Sequence, residues 1–251
     1  MEDQTLLLVG DKFANFASLN DGVTTISTLR TLRHRQNEKV ESARILIGQG
    51  VDPNSLKDVV GQPGNFEEPL ESPNAHHDQL HQRTVHKNHG HNVLIAPPSR
   101  IDEAEFRSSL HLHDDCAELS DHVTGQHLQG MIFIEAARQM MLSVSENYLL
   151  PEEFRFASYF VLNEIRTSFI AFAFPIETEI LFDLEACEAK PNGNLRATCI
   201  SCFIQAGLPV ARVDIDFCAY PREHLERKES KLAAEAIRRF IDTHVELNAT
   251  A

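Results

Sequence analysis

Residues 120–140, SDHVTGQHLQGMIFIEAARQM, place two histidines, two glycines, a glutamate and an arginine around a strongly apolar run. From Leu128 to Tyr148 the chain reads as one helix, with Met131, Ile132, Phe133, Ile134, Met140 and Met141 spread over nearly all its faces and Pro151 marking its end. A helix that is apolar all round belongs inside a protein. Glu135, Arg138 and Gln139 interrupt it at i, i+3 and i+4, so they share one face. A buried, unpaired carboxylate is costly or changes its protonation state, so Glu135 demands a partner. Arg138 is within reach. Two readings stay open on these residues alone: an internal ion pair that fixes the helix to its surroundings, or a carboxylate that orients or deprotonates a reacting group.

The flanking segments say what would bury such a helix. Upstream, HNVLIAPP (91–98) and EFRSSLHLHD (105–114) read as strands, the second alternating through Phe106, Ser108, Leu110 and Leu112. Downstream come FVLNEIRTSF (160–169), ETEILFDLEACEA (177–189), LRATCISCFIQ (195–205) and VARVDIDFCAY (210–220). The turn signals KPNGN and QAGLP make the last three antiparallel neighbours. A long buried helix held in a curved antiparallel sheet is the hotdog architecture. A last helix, Ser230 to His244, sets Leu232, Ala236, Ile237, Phe240 and Ile241 on one stripe.

The fold class expected is therefore α+β: a hotdog domain over 84–221 and a C-terminal helix and tail over 222–251. Residues 1–60 form a small α/β extension, in which TLLLVG and ARILIGQG are buried strands around a helix reaching from Leu19 to Leu32. A helix between two strands implies parallel pairing, and no glycine-rich phosphate motif follows either strand. Residues 61–83 are rich in Pro, Asn, Glu and Gln and read as a polar linker.

Composition bounds the partners. A net charge of −14 argues against general nucleic-acid binding, and no apolar run approaches the length needed to span a bilayer. The acidic start, MEDQ, lacks the basic region of a secretory signal, so a cytoplasmic location is expected. Of five cysteines, Cys199 and Cys202 form C-x-x-C, but three apart in a strand they point to opposite faces. Buried reduced thiols are expected instead of a redox pair. His111 and His113 share a strand face, which suits a metal, although an alternating solvated face explains them as well. The histidines from His76 to His91 lie in a segment without a rigid frame. No metal and no cofactor is expected.

The segment DHVTGQHLQGMIFIEAARQM resembles the signature of the A-factor biosynthesis hotdog family: a paired-histidine loop, a Gly-Met step and a helix carrying Glu-Ala-Ala-Arg-Gln. TVHK (84–87) is similar to the Val-His-Lys opening of that domain, and IRTSFIAFAFPIETEI (165–180) to its post-helix strand pair. A looser resemblance runs to the β-hydroxyacyl-carrier-protein dehydratases. These resemblances imply His122, His127 and Glu135 as catalytic residues and Gly130, Met131, Arg138 and Gln139 as substrate-binding residues. Family members usually hold two hotdog repeats; one is recognisable here, which implies a homodimer.

The implied activity is transfer of a (β-keto)acyl group from an acyl carrier protein or CoA thioester to a small hydroxylated acceptor, as in signalling-molecule biosynthesis. Dehydration, hydration or hydrolysis of an acyl thioester is the alternative on the same fold. A non-catalytic acyl-binding module is a third reading.

Overall fold

The computed structural model describes residues 5–34, 43–51, 56, 80–123 and 125–249. Most of the 61–83 segment read as a linker lies outside them; its end does not. Leu80 is buried in the main core, and a 3-10 turn at Gln82–Val85 carries the buried Val85.

Six strands form one antiparallel sheet: β4 (Ser99–Arg100), β5 (Glu105–Ser109), β6 (Ser158–Phe169), β7 (Glu179–Ala189), β8 (Leu195–Gln205) and β9 (Leu208–Pro221). Their order is β4-β5-β7-β8-β9-β6, which leaves β6 at an edge. Helix α4 (Gly130–Val144) lies against this sheet and continues through a π turn at Ser145–Leu149. Ile132, Phe133, Ala136, Ala137, Met140 and Met141 are buried on it, and Phe133 meets Phe203 of β8 edge to face at 5.0 Å. One long helix wrapped by an antiparallel sheet is the hotdog fold expected from the sequence. The four downstream strands fall where alternation and turn residues placed them.

Some expectations need correcting. HNVLIAPP is not a regular strand. Gly90–Asn92 form a 3-10 turn, Pro97 and Pro98 supply no donors, and only the Ile95–Leu110 bridge remains. The C-terminal helix, α5 (Arg222–Ala249), starts eight residues before Ser230, directly off β9. Of the cysteines, only Cys116 and Cys199 are buried; Cys187 is exposed, and Cys202 and Cys218 are half-buried.

The N-terminal unit contains β1 (Thr5–Val9), α1 (Ala14–Leu19), β2 (Val23–Thr25), α2 (Ile26–His34) and β3 (Arg44–Ile47). Its sheet is parallel, as expected, in the order β2-β1-β3. The single helix expected between Leu19 and Leu32 is broken. Gly22 takes a left-handed φ of 79°, and the β-branched Val23, Thr24 and Thr25 pair alongside β1. This unit shares the hotdog core through Val9, Phe13 and Phe16. Gln49 joins the two parts: its buried side chain donates to the Leu110 and Ile176 carbonyls and accepts from the Leu112 N–H. Asp114 reaches into the space beside Gly10 and Gly50 and accepts from the Lys12 N–H at 3.2 Å. Burial pushes its carboxyl above the usual range. Among the described residues, no helix is long and apolar enough to cross a membrane.

A methyl group at residue 10 would land on the Asp114 carboxylate and 2.5 Å from the Gly50 carbonyl oxygen. Backbone sits on one side of that clash, so relaxation is limited. Gly10→Ala is expected to destabilise by about 1–3 kcal/mol, lowering the melting temperature by roughly 2–4 °C per kcal/mol. A thermal scan with an unchanged midpoint contradicts this packing.

Candidate functional site

The polar face of α4 is organised around Glu135. Arg138 grips it in a fork, Nε to Oε2 and Nη2 to Oε1, both at 2.7 Å. Gln139 Nε2 donates to Oε1 at 2.9 Å, and Lys87 Nζ stands 2.8 Å from the same oxygen. Gln139 is itself fixed, accepting from the Leu94 N–H and donating to the Asn92 carbonyl, each at 2.8 Å. Burial raises the Glu135 pKa, but the Arg138 hydrogen bond and charge, with Lys87 and Gln139, outweigh it and hold the group at about 2. Glu135 is therefore an anion throughout the physiological range, with donors on both oxygens.

Lys87 also faces Glu118, on the one-turn helix α3 (Ala117–Ser120), at 3.7 Å. Glu118 is tied to the start of α4: the Gln129 side chain, at the N-cap, donates to the Glu118 carbonyl oxygen. The N-terminal unit braces this loop as well, through Lys12 Nζ to the Ser120 carbonyl and Asn20 Nδ2 to Gln126 Oε1.

One residue before Lys87, His86 meets a second carboxylate of the same helix. Its Nε2 lies 3.0 Å from Oε1 of Glu146, which is fully buried in the π turn. The other oxygen accepts from the Phe156 N–H at 2.6 Å. His86 and Phe156 both hold left-handed φ, 54° and 59°, unfavourable values for residues with a side chain, kept here by the buried carboxylate between them.

The start of α4 is open and apolar. The first N–H groups of a helix have no intrahelical acceptor. Here the ring of Phe169 lies over Gly130, where a Cβ would sit 2.5 Å from its Cζ. Around it stand Met131, Phe169 and Phe172, which are 60%, 59% and 72% exposed. His127 is exposed with its ring 5.0 Å from that of Phe172, and His122 is exposed on the same loop. The structure thus brings Glu135, Arg138 and Gln139 together and places Gly130, Met131 and His127 at the apolar rim.

Sequence reasoning did not single out Lys87, Glu118, His86 or Glu146 as site residues. Val-His-Lys was visible in TVHK, but not that its histidine and lysine would each take a carboxylate of the helix. Among the described residues, no group of three or more His, Cys, Asp or Glu is arranged to hold a metal ion. A cavity of about 700 Å³ lies elsewhere, between Pro97, Pro98, Ser109 and Glu177, and no signature residue lines it.

The family model of the A-factor biosynthesis hotdog domain matches residues 70–221. The chain belongs to this family. The match starts inside the segment read as a linker and ends with β9. No curated protein matches in sequence. Among solved structures, a mutant thioesterase from Pseudomonas aeruginosa is similar at 11% identity, over 51% of this chain and 83% of that one, with a TM-score of 0.38. A thioesterase from Haemophilus influenzae is similar at 12% identity, over 52% and 81%, with a TM-score of 0.37. AziG from S. sahachiroi gives 15% identity, 49% and 90%, and a TM-score of 0.35.

His86→Ala would leave the buried Glu146 oxygen without its donor, an expected loss of about 1–3 kcal/mol. His86→Gln keeps a nitrogen in the Nε2 position and should recover most of it. Chemical denaturation of the two variants checks this; equal midpoints for wild type and His86→Ala contradict the pairing.

Proposed function

We propose that this chain processes acyl thioesters at the open end of α4, transferring a (β-keto)acyl group from an acyl carrier protein or CoA to a small hydroxylated acceptor. The observation that carries this reading is the exposed apolar rim of Met131, Phe169 and Phe172, set against the first turn of a buried helix. An acyl chain fits such a rim. The thioester carbonyl oxygen would sit at the N–H groups of Gly130 and Met131, where unspent donors and the positive end of the helix dipole stabilise developing negative charge. Family membership supports the same class of chemistry.

In this reading Glu135 orients; it holds Lys87 and Arg138 in place as cations. Arg138 spends Nε and Nη2 on Glu135, which leaves Nη1 for an anionic acceptor such as a phosphorylated triose. His122 and His127 are the loop's candidates for hydrogen-bonding the reacting groups, since an imidazole can both donate and accept. Gln139 fixes the angle of Glu135. The chemistry needs no metal or cofactor.

A homodimer belongs to the proposal. Strand β6 is twelve residues long and, among the described residues, pairs on one side only, with β9. Leu162, Ile165 and Phe169 are exposed on it. Pairing two copies antiparallel about Ile165 would set Glu164 of one opposite Arg166 of the other, twice, a self-complementary register.

Two measurements test these claims. Intact-mass analysis of β-ketoacyl carrier proteins, incubated with the protein and a phosphorylated triose, should show acceptor-dependent loss of the acyl group. Acyl loss without acceptor would indicate hydrolysis, loss of water from a β-hydroxyacyl carrier protein would indicate dehydration, and an unchanged panel would defeat the thioester reading. Sedimentation at micromolar concentration should report about twice the chain mass; a fully active monomer would remove the dimer.

A further inference from the structure

The two carboxylates beside Lys87 differ in one respect that decides what each can do. Glu135 is saturated: Arg138, Lys87 and Gln139 put donors on both of its oxygens. Glu118 is not. Among the described residues, its Oε1 has only the distant Lys87 ammonium, at 3.7 Å, and its Oε2 is shut off from solvent with no hydrogen-bond partner. The side chain as a whole is 14% exposed, at the edge of the interior and still in touch with the surface. A carboxylate oxygen left without a donor in such a place is unfavourable, and a turn of the carboxylate about its last bond, bringing an oxygen to a ligand hydroxyl, would relieve the cost.

The position of Glu118 is built. The N-cap residue of α4, Gln129, clamps its backbone carbonyl. Lys87 links it to Glu135, little more than one turn into the helix from Gly130. The loop that carries it is braced by Lys12 and Asn20 of the N-terminal unit. All of these hold Glu118 beside the start of α4, where the proposed thioester carbonyl would lie.

We propose that Glu118 is the catalytic base of the site, an assignment that rests on the thioester reading above. The acceptor hydroxyl gives its proton to the Glu118 carboxylate as its oxygen attacks the thioester carbonyl carbon. The tetrahedral intermediate collapses, the C–S bond breaks, and the leaving sulfur takes the proton back from the Glu118 carboxylic acid. Thioester and alcohol become ester and thiol, and the carboxylate is restored. Lys87 acts as a positioning residue, its ammonium held between the two carboxylates.

The test compares Glu118→Gln and Glu118→Ala with wild type, using a β-ketoacyl carrier protein and a phosphorylated triose, with release of the free carrier-protein thiol as the readout. Glu118→Gln is nearly isosteric and should lower kcat by on the order of a hundredfold or more, with KM within a few-fold of wild type. Added formate should restore part of the activity of Glu118→Ala, because a small carboxylate can occupy the vacated space, and should leave Glu118→Gln unchanged. Wild-type kcat in Glu118→Gln overturns the assignment. So does a loss in both variants with no formate rescue, which marks Glu118 as structural. If Glu118→Gln does not fold, Glu118→Asp decides: kcat lost with KM kept supports the base, and unchanged kcat overturns it. No turnover by the wild type overturns the thioester reading and the assignment with it, an outcome distinct from failure of the assignment alone.

Discussion

A carboxylate on the polar face of an otherwise buried helix is the constraint from which the rest of this structure follows. Glu135 sits in a helix whose neighbours are apolar, and an ionised group there is tolerated only with close, charged donors. The chain meets the demand with Arg138 and Gln139 from the same face and Lys87 from a distant segment. Each donor then carries an obligation of its own. Gln139 ties Asn92 and Leu94 to the helix, and Lys87 draws in Glu118. The polar cluster is thereby a staple joining the segments before the helix to the helix itself.

A second carboxylate repeats the device three turns on. Glu146 lies eleven residues after Glu135, and eleven residues are close to three turns, so both fall near one stripe of the helix. Consecutive residues of the 82–87 segment reach them, Lys87 towards the start of the helix and His86 towards its end. The left-handed backbone at His86 is what splits the two side chains in this way. Because the segment is fastened at both carboxylates, the first turn of α4 faces a fixed polar wall on one side and the open apolar rim on the other. An acyl-thioester site needs that combination of rigid charge and accessible grease.

Much of the fold was legible because its signals are local. Strands β6 to β9 alternate or run apolar between turn residues, and the helix is a long apolar run with Pro151 beyond its end. The misreadings have physical causes. Val93–Ala96 looked like a strand because it is apolar, but prolines and a 3-10 turn leave it one bridge. The break at Gly22 was signalled by the glycine and the two threonines, and parallel pairing with β1, a tertiary effect, made it a strand. Within the site, Glu135, Arg138 and Gln139 were readable because helical spacing fixes their proximity. Lys87 and Glu118, 48 and 17 residues before Glu135 in the chain, were not, since no local rule connects them to the helix. The same holds for the N-terminal unit, whose grip on the 114–126 loop depends on Gly10 and Gly50 admitting the side chain of Asp114.

Glu135 as a fixed anion that holds two cations, and does not trade protons, has a titration that can be followed directly. Carbon-13 labelling of glutamate side chains gives a carboxyl resonance for Glu135, assignable by its loss in Glu135→Gln, that can be followed against pH. With the ion network intact, the shift should stay flat from neutral pH down to about pH 3, with its midpoint near 2. A midpoint at the ordinary glutamate value of about 4.3 or above would contradict it, because the ion network would then be too weak to organise the site.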